Sequence, residues 1–168
     1  MSVLEQTYVI KLLQPFYKNF NKRILKSPKL YFVDTGLACS LLGIRKEEEL
    51  ALSHFRGALV ENYIILECLK TNSNQNLKNS FYYWRNNKGV EVDLIIDTGV
   101  TFLPVEIKSA ETFSNDFTKN LNKIISYSGV KGGIVIYNGK IQFTSSEGIR
   151  VVNWASFLKQ KSFSPLRR

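Results

Sequence analysis

Val90-Glu91-Val92-Asp93-Leu94-Ile95-Ile96-Asp97-Thr98-Gly99-Val100-Thr101-Phe102-Leu103-Pro104-Val105-Glu106-Ile107-Lys108 has the pattern of a β-hairpin at the centre of a sheet. Two β-branched, apolar-rich runs flank an Asp-Thr-Gly turn, which makes Val90–Ile96 and Thr101–Lys108 adjacent antiparallel strands. Side chains alternate along a strand. Glu91, Asp93 and Ile95 therefore share one face, and Val92, Leu94 and Ile96 the other. On the second strand Phe102, Pro104, Glu106 and Lys108 oppose the core-facing Leu103, Val105 and Ile107. If Thr98-Gly99 forms a two-residue loop, Asp93 pairs with Pro104 and lies diagonal to Glu106 on one face; a three-residue loop would separate them.

Working outward, Arg56 to Lys70 has helical spacing at Leu59, Tyr63 and Leu66, with Glu61 in its first turns, and the polar segment 72–78 ends it. Phe81–Trp84 reads as a strand with exposed aromatics at Tyr82 and Trp84, followed by a turn at Asn86-Asn87-Lys88-Gly89. Downstream, Ser114-Asn115-Asp116 supplies cap chemistry for a helix with Phe117, Leu121, Ile124 and Ile125 on its apolar side. Gly132-Gly133 permits close packing before Ile134–Tyr137, a run suited to a strand covered on both faces. Asn138-Gly139 signals a hairpin into Ile141–Thr144, and Arg150–Val152 precedes a helix around Trp154–Leu158. Upstream, Thr7–Leu13 reads as a strand broken by Pro15. Lys29–Val33 is a second strand, Leu37–Leu42 a short helix, and 46–51 a solvated helix or loop. These elements predict an α/β domain, a central mixed β-sheet flanked by helices.

The chain has 168 residues and is 44% hydrophobic, enough for one full core. Lys and Arg number 23 against 14 Asp and Glu, a formal charge of +9. That excess suits a polyanionic partner such as DNA and equally a basic protein with none. Cys39 and Cys68 belong to no zinc-type or CxxC group and read as reduced core thiols of a cytoplasmic protein. No apolar run approaches membrane-spanning length, no export signal is legible, and no phosphate-loop lysine motif occurs. His54, the single histidine, offers no triad.

Asp93 and Glu106 can supply the carboxylates that Mg²⁺ or Mn²⁺ prefers, with the Ile107 carbonyl as a further oxygen and Glu61 bound directly or through water. Lys108 can orient or deprotonate an attacking water and offset charge on a phosphate, the chemistry of phosphodiester hydrolysis. From spacing alone, these charges equally suit a solvated outer face on which Lys108 simply pairs with Glu106 or Glu91.

Asp93, Glu106-Ile107-Lys108 and the helical Glu61 together resemble the PD-(D/E)XK nuclease superfamily. More narrowly, Lys26-Ser27-Pro28-Lys29-Leu30-Tyr31-Phe32-Val33-Asp34-Thr35-Gly36-Leu37, Arg56-Gly57-Ala58-Leu59-Val60-Glu61-Asn62, Glu91-Val92-Asp93 and Glu106-Ile107-Lys108-Ser109 are similar to the C-terminal domain of unknown function of prokaryotic AAA-type ATPases. The resemblance implies a restriction-endonuclease-like fold, with residues 1–35 a leader resembling the end of a winged-helix-like linker and 36–168 the nuclease-like domain. It further implies an ATPase module in the intact protein, with Asp93, Glu106, Lys108 and Glu61 as catalytic residues. Lys18, Lys22, Arg23, Lys26, Arg85 and Lys88 are the expected nucleic-acid contacts. Oligomerisation is compatible with it, and so is a non-catalytic module that binds DNA or regulates the ATPase. Related resolvase-like nucleases carry Gln and Tyr after the lysine strand, where this chain has Lys123-Ile124-Ile125-Ser126-Tyr127.

Overall fold

The computed structural model describes residues 3–17, 27–159 and 163. The two central strands are β4, Glu91–Asp97, and β5, Phe102–Lys108, and every residue between their end positions is buried. Burial on both faces follows from helices covering both sides of the sheet. The structure is a mixed eight-stranded sheet flanked by helices, in the order β2-β1-β3-β4-β5-β6-β8-β7. Its other strands are β1 (Ile10–Pro15), β2 (Lys29–Phe32), β3 (Ser80–Arg85), β6 (Gly133–Tyr137), β7 (Phe143–Thr144) and β8 (Ile149–Asn153). β1 runs parallel to β3, and β6 parallel to both β5 and β8; the remaining pairs are antiparallel. β1 and β2, within the segment expected as a leader, form one margin of this sheet.

Short helices α1 (Val3–Gln6), α2 (Thr35–Leu41) and α3 (Glu47–Leu52) precede the long α4 (Arg56–Asn74). A 3-10 turn at Asn115–Thr118 leads into α5 (Lys119–Ser128), and α6 is Trp154–Leu158. Ile64, Ile65 and Leu66 of α4 and Phe157 of α6 pack on Leu94, Val105, Ile107 and Ile136 on one side of the sheet. Leu121 and Ile124 of α5 pack with Val92, Ile95, Phe102 and Val135 on the other. Among the described residues no helix is long and apolar enough to cross a membrane. Cys68 is buried, Cys39 half-buried, and both are free.

Tertiary context corrects several local expectations. α4 continues to Asn74, one turn further than expected, because Asn72 Nδ2 reaches the Asn79 carbonyl at 3.2 Å and ties the polar end to β3. Tyr63 lies on its exposed side, edge-on to Trp154 at 5.8 Å. Pro15 does not break β1 but ends it opposite Tyr83; the next donor, Phe16 N–H, reaches the Tyr83 carbonyl at 2.7 Å. Trp84 is buried beside Tyr127 rather than exposed. Asn138-Gly139 turns no hairpin: Asn138 N–H bonds the Ala110 carbonyl, and the chain leaves β6 for β8, its parallel neighbour. A Cβ on Gly139 would run into the Glu111 carbonyl and the Tyr137 ring, so close approach explains this glycine. Gly132, at φ +79°, is set against the Gly148 carbonyl, and Gly133 lies against Pro104.

Candidate metal centre

The β4–β5 connection has four residues rather than two. Asp97 pairs with Phe102, while Thr98 N–H and Oγ1 both bond the Thr101 carbonyl at 2.9 and 2.8 Å. An even loop preserves the parity on which the site depends. The paired register ends at Leu94 opposite Val105, one step short of Asp93 and Glu106, and Asp93 does not pair with Pro104, which lies opposite Ile95.

The alternation expected along β4 nevertheless fails at Asp93. From Tyr82 to Trp84 on β3 is two steps, whereas their partners Ile95 and Val92 on β4 are three apart, so β4 holds one extra residue. Such a bulge kinks the strand and breaks the ladder locally. Val92 consequently joins the α5-side core and Leu94 the α4-side core, although strict alternation would keep them together. Asp93 sits inside the bulge, and its Oδ2 accepts the Ile107 N–H at 2.8 Å. The carboxylate therefore supplies an acceptor to β5. Because a strand residue directs its N–H and C=O to the same side, the Ile107 carbonyl belongs to the β4 side of β5.

Glu106 is 3% exposed and Asp93 8%. Glu106 Oε1 accepts the Lys108 ammonium at 2.6 Å, while among the described residues the buried Oε2 makes no hydrogen bond, the Asn120 side chain standing near the carboxylate. Burial first, then repulsion from Glu106 and Glu61, pushes the Asp93 carboxyl well above the usual carboxylate range; the Ile107 N–H and Lys108 only partly offset this. Glu106 is raised chiefly by burial, against the opposing pull of Lys108 and Asn120. For Lys108, burial draws the ammonium pKa down, but Glu106, Asp93 and Glu61 together outweigh it, and the net direction is up. Lys108 is accordingly an ammonium ion at neutral pH. Orienting water and meeting negative charge suit it, and abstracting a proton does not.

Glu61 lies on α4 toward this centre, close enough to disfavour ionisation of both inner acids. Its Oε1 accepts Lys29 Nζ at 3.0 Å and the Tyr31 hydroxyl at 2.5 Å. Lys29 also pairs with Glu91 and stands 5.6 Å from the Tyr83 ring centroid, and Arg85 Nε approaches Glu91 Oε2 at 3.3 Å. The neighbouring Asn62 is buried and tied to β2: it accepts from Phe32 N–H and donates to the Phe32 carbonyl and Thr35 Oγ1. Lys29, Tyr31 and Asn62 were not among the expected site residues. Period-two spacing on β2 puts Lys29 and Tyr31 on one face, but that signal names no partner until α4 lies against them. A cavity of about 440 Å³ bordered by Lys29, Tyr31, Phe55 and Glu61 opens beside this outer group.

The structure thus brings Asp93, Glu106 and Lys108 together, with Glu61 adjacent but engaged by Lys29 and Tyr31. Arg85 and Lys88 are exposed at the β3–β4 turn, while Lys18, Lys22, Arg23 and Lys26 lie outside the described residues. Among the described residues no three Asp, Glu, His or Cys side chains group tightly enough to hold an ion. The donors that do stand together are two carboxylates and a backbone carbonyl. Mg²⁺ commonly uses one or two carboxylates and completes its octahedron with waters and phosphate oxygens. The unpartnered Glu106 oxygen and the repelling, buried Asp93 fit such an ion.

Residues 1–48 match a family described as a domain of unknown function (DUF8612). Uncharacterized proteins of Mycobacterium bovis and Mycobacterium tuberculosis are each 27% identical over 152 residues, covering 90% of this chain and 33% of the relative. The chain therefore spans about a third of the length of these curated relatives. No solved structure matches. Residues 56–157, which carry Glu61, Asp93, Glu106 and Lys108, match the family described as a domain of unknown function (DUF4143), and the chain belongs to that family.

Proposed function

We propose that this chain is a restriction-endonuclease-like, Mg²⁺- or Mn²⁺-dependent nuclease domain that hydrolyses DNA phosphodiesters and works beside an AAA-type ATPase module in the intact protein. The observation that carries the reading is the buried Glu106 beside the buried Asp93: among the described residues Glu106 Oε2 makes no hydrogen bond, and the nearby Asn120 side chain eases the Glu106 charge alongside Lys108. A buried carboxylate oxygen without a donor is costly, and a second buried acid beside it raises the cost. Asp93, Glu106 and the Ile107 carbonyl would hold a divalent ion, which would offset both penalties. When bound, such an ion polarises a phosphate and acidifies water. The chain's own part is to place Lys108 next to Glu106, where its ammonium orients the water and meets charge developing on the phosphate. Arg85 and Lys88 supply backbone contacts at the neighbouring turn.

The test is nicking of supercoiled plasmid with and without Mn²⁺, comparing wild type with Lys108→Ala at matched circular dichroism. Metal-dependent nicking that Lys108→Ala abolishes supports the reading. Wild type that leaves single- and double-stranded DNA intact overturns it.

A further inference from the structure

We infer that Lys29 is a built-in second cation, so that the centre takes one divalent ion and not two. The inference rests on the metal reading above and extends it to stoichiometry. Four carboxylates converge around β4: Glu61, Glu91, Asp93 and Glu106. Three of them meet a cation directly. Lys29 contacts Glu61 at 3.0 Å and also Glu91, Arg85 lies 3.3 Å from Glu91, and Lys108 lies 2.6 Å from Glu106. Among the described residues Asp93 accepts only the Ile107 N–H, and the buried Glu106 Oε2 makes no hydrogen bond, with the Asn120 side chain as its nearby polar neighbour.

The open valence therefore lies on the inner side, between Asp93 and Glu106. The outer side, between Glu61 and Glu91, is already bridged by a positive charge that no solution ion has to provide. The Lys29 ammonium is fixed there from several directions, because it stands over the Tyr83 ring and shares Glu61 with the Tyr31 hydroxyl. A hydrated second ion entering from the 440 Å³ cavity would have to displace it. Like charges at such separations repel strongly where water is scarce. Lys29 thus does electrostatically what a second metal does in a two-ion site: it neutralises the outer acids and leaves one vacancy for one ion.

The experiment counts Mn²⁺ bound per chain, by the electron paramagnetic resonance of free Mn²⁺ at protein concentrations well above the dissociation constant. Wild type is expected to bind one ion and Lys29→Arg one, because the charge is kept. Lys29→Met is expected to bind two, and adding Glu91→Gln to it returns the count to one. If Lys29→Met does not fold, Lys29→Gln carries the same expectation. A wild type that binds two ions overturns the inference and leaves the metal centre standing. So does a folded Lys29→Met or Lys29→Gln that still binds one. Binding of no ion by wild type and variants alike overturns the metal centre, and the inference with it.

Discussion

Two pairs of acids lie a few residues apart on the same scaffold, and their environments are opposite. Glu61 and Glu91 are half-buried, bridged by Lys29 and further supported by Tyr31 and Arg85. Asp93 and Glu106 are buried; among the described residues one accepts only a backbone N–H, and the other has an oxygen that makes no hydrogen bond. The first pair is an ordinary ion-pair network that needs nothing more. The second is a deficit, and a deficit is what marks a place for a ligand. Identical side chains thus carry different functional weight, and partner supply at the given burial decides which.

The comparison can be broken most severely at the inner pair. Asp93→Asn or Glu106→Gln should lower Mn²⁺-dependent nicking by roughly 10²–10⁴-fold, the scale on which positioned catalytic groups act; plasmid nicking over time reads it. The same Asp93→Asn change should stabilise the metal-free chain by about 1–3 kcal/mol at neutral pH, the usual cost of a poorly satisfied buried group. The sign follows from the raised carboxyl. The folded state retains a proton that the unfolded state releases, so stability is full below the ordinary carboxylate range and is lost as pH rises through the folded value. The gap in Tm between Asp93→Asn and wild type should therefore widen as pH rises above the ordinary carboxylate value of 3.8, and saturating Mn²⁺ should close it.

Asn62→Ala should destabilise by about 1–3 kcal/mol, because it strips partners from Phe32 N–H and carbonyl where β2 meets α4. Chemical denaturation reads this, and a loss below 0.5 kcal/mol would mean that water replaces the amide. At the outer pair Tyr31→Phe should cost about 1 kcal/mol, since Glu61 keeps Lys29 as a donor. Arg85→Ala should cost about 0–1 kcal/mol, as expected for an exposed ion pair. If either outer change exceeded the inner ones in its effect on nicking, the division between the pairs would be reversed.

Much of the frame was legible from residue order. Alternation in 91–97 and 102–108, the helical spacing in 56–70 and the buried run 134–137 located the central strands and the long helix, because period and burial are local properties. The even turn kept the expected facing parity as far as Leu94 opposite Val105, although the loop proved longer than expected. The β4 bulge was not legible. It arises from how β3 and β4 share a register, and no residue in Glu91-Val92-Asp93-Leu94 announces an extra position. The crossing after Asn138 was hidden for a similar reason: its turn chemistry is that of a hairpin, but β6 already has β5 and β8 as neighbours.

The sequence by itself determined which groups were available: two acids on neighbouring strands, a lysine two residues beyond the second, and a glutamate on the preceding helix. Only the tertiary structure decided which of them are satisfied. Folding β2 and α4 together delivers Lys29 to Glu61 and Glu91, across 32 and 62 positions of chain, and leaves Glu106 with a buried oxygen that makes no hydrogen bond among the described residues. Charge type is local, whereas desolvation and partner supply depend on everything that packs around the group.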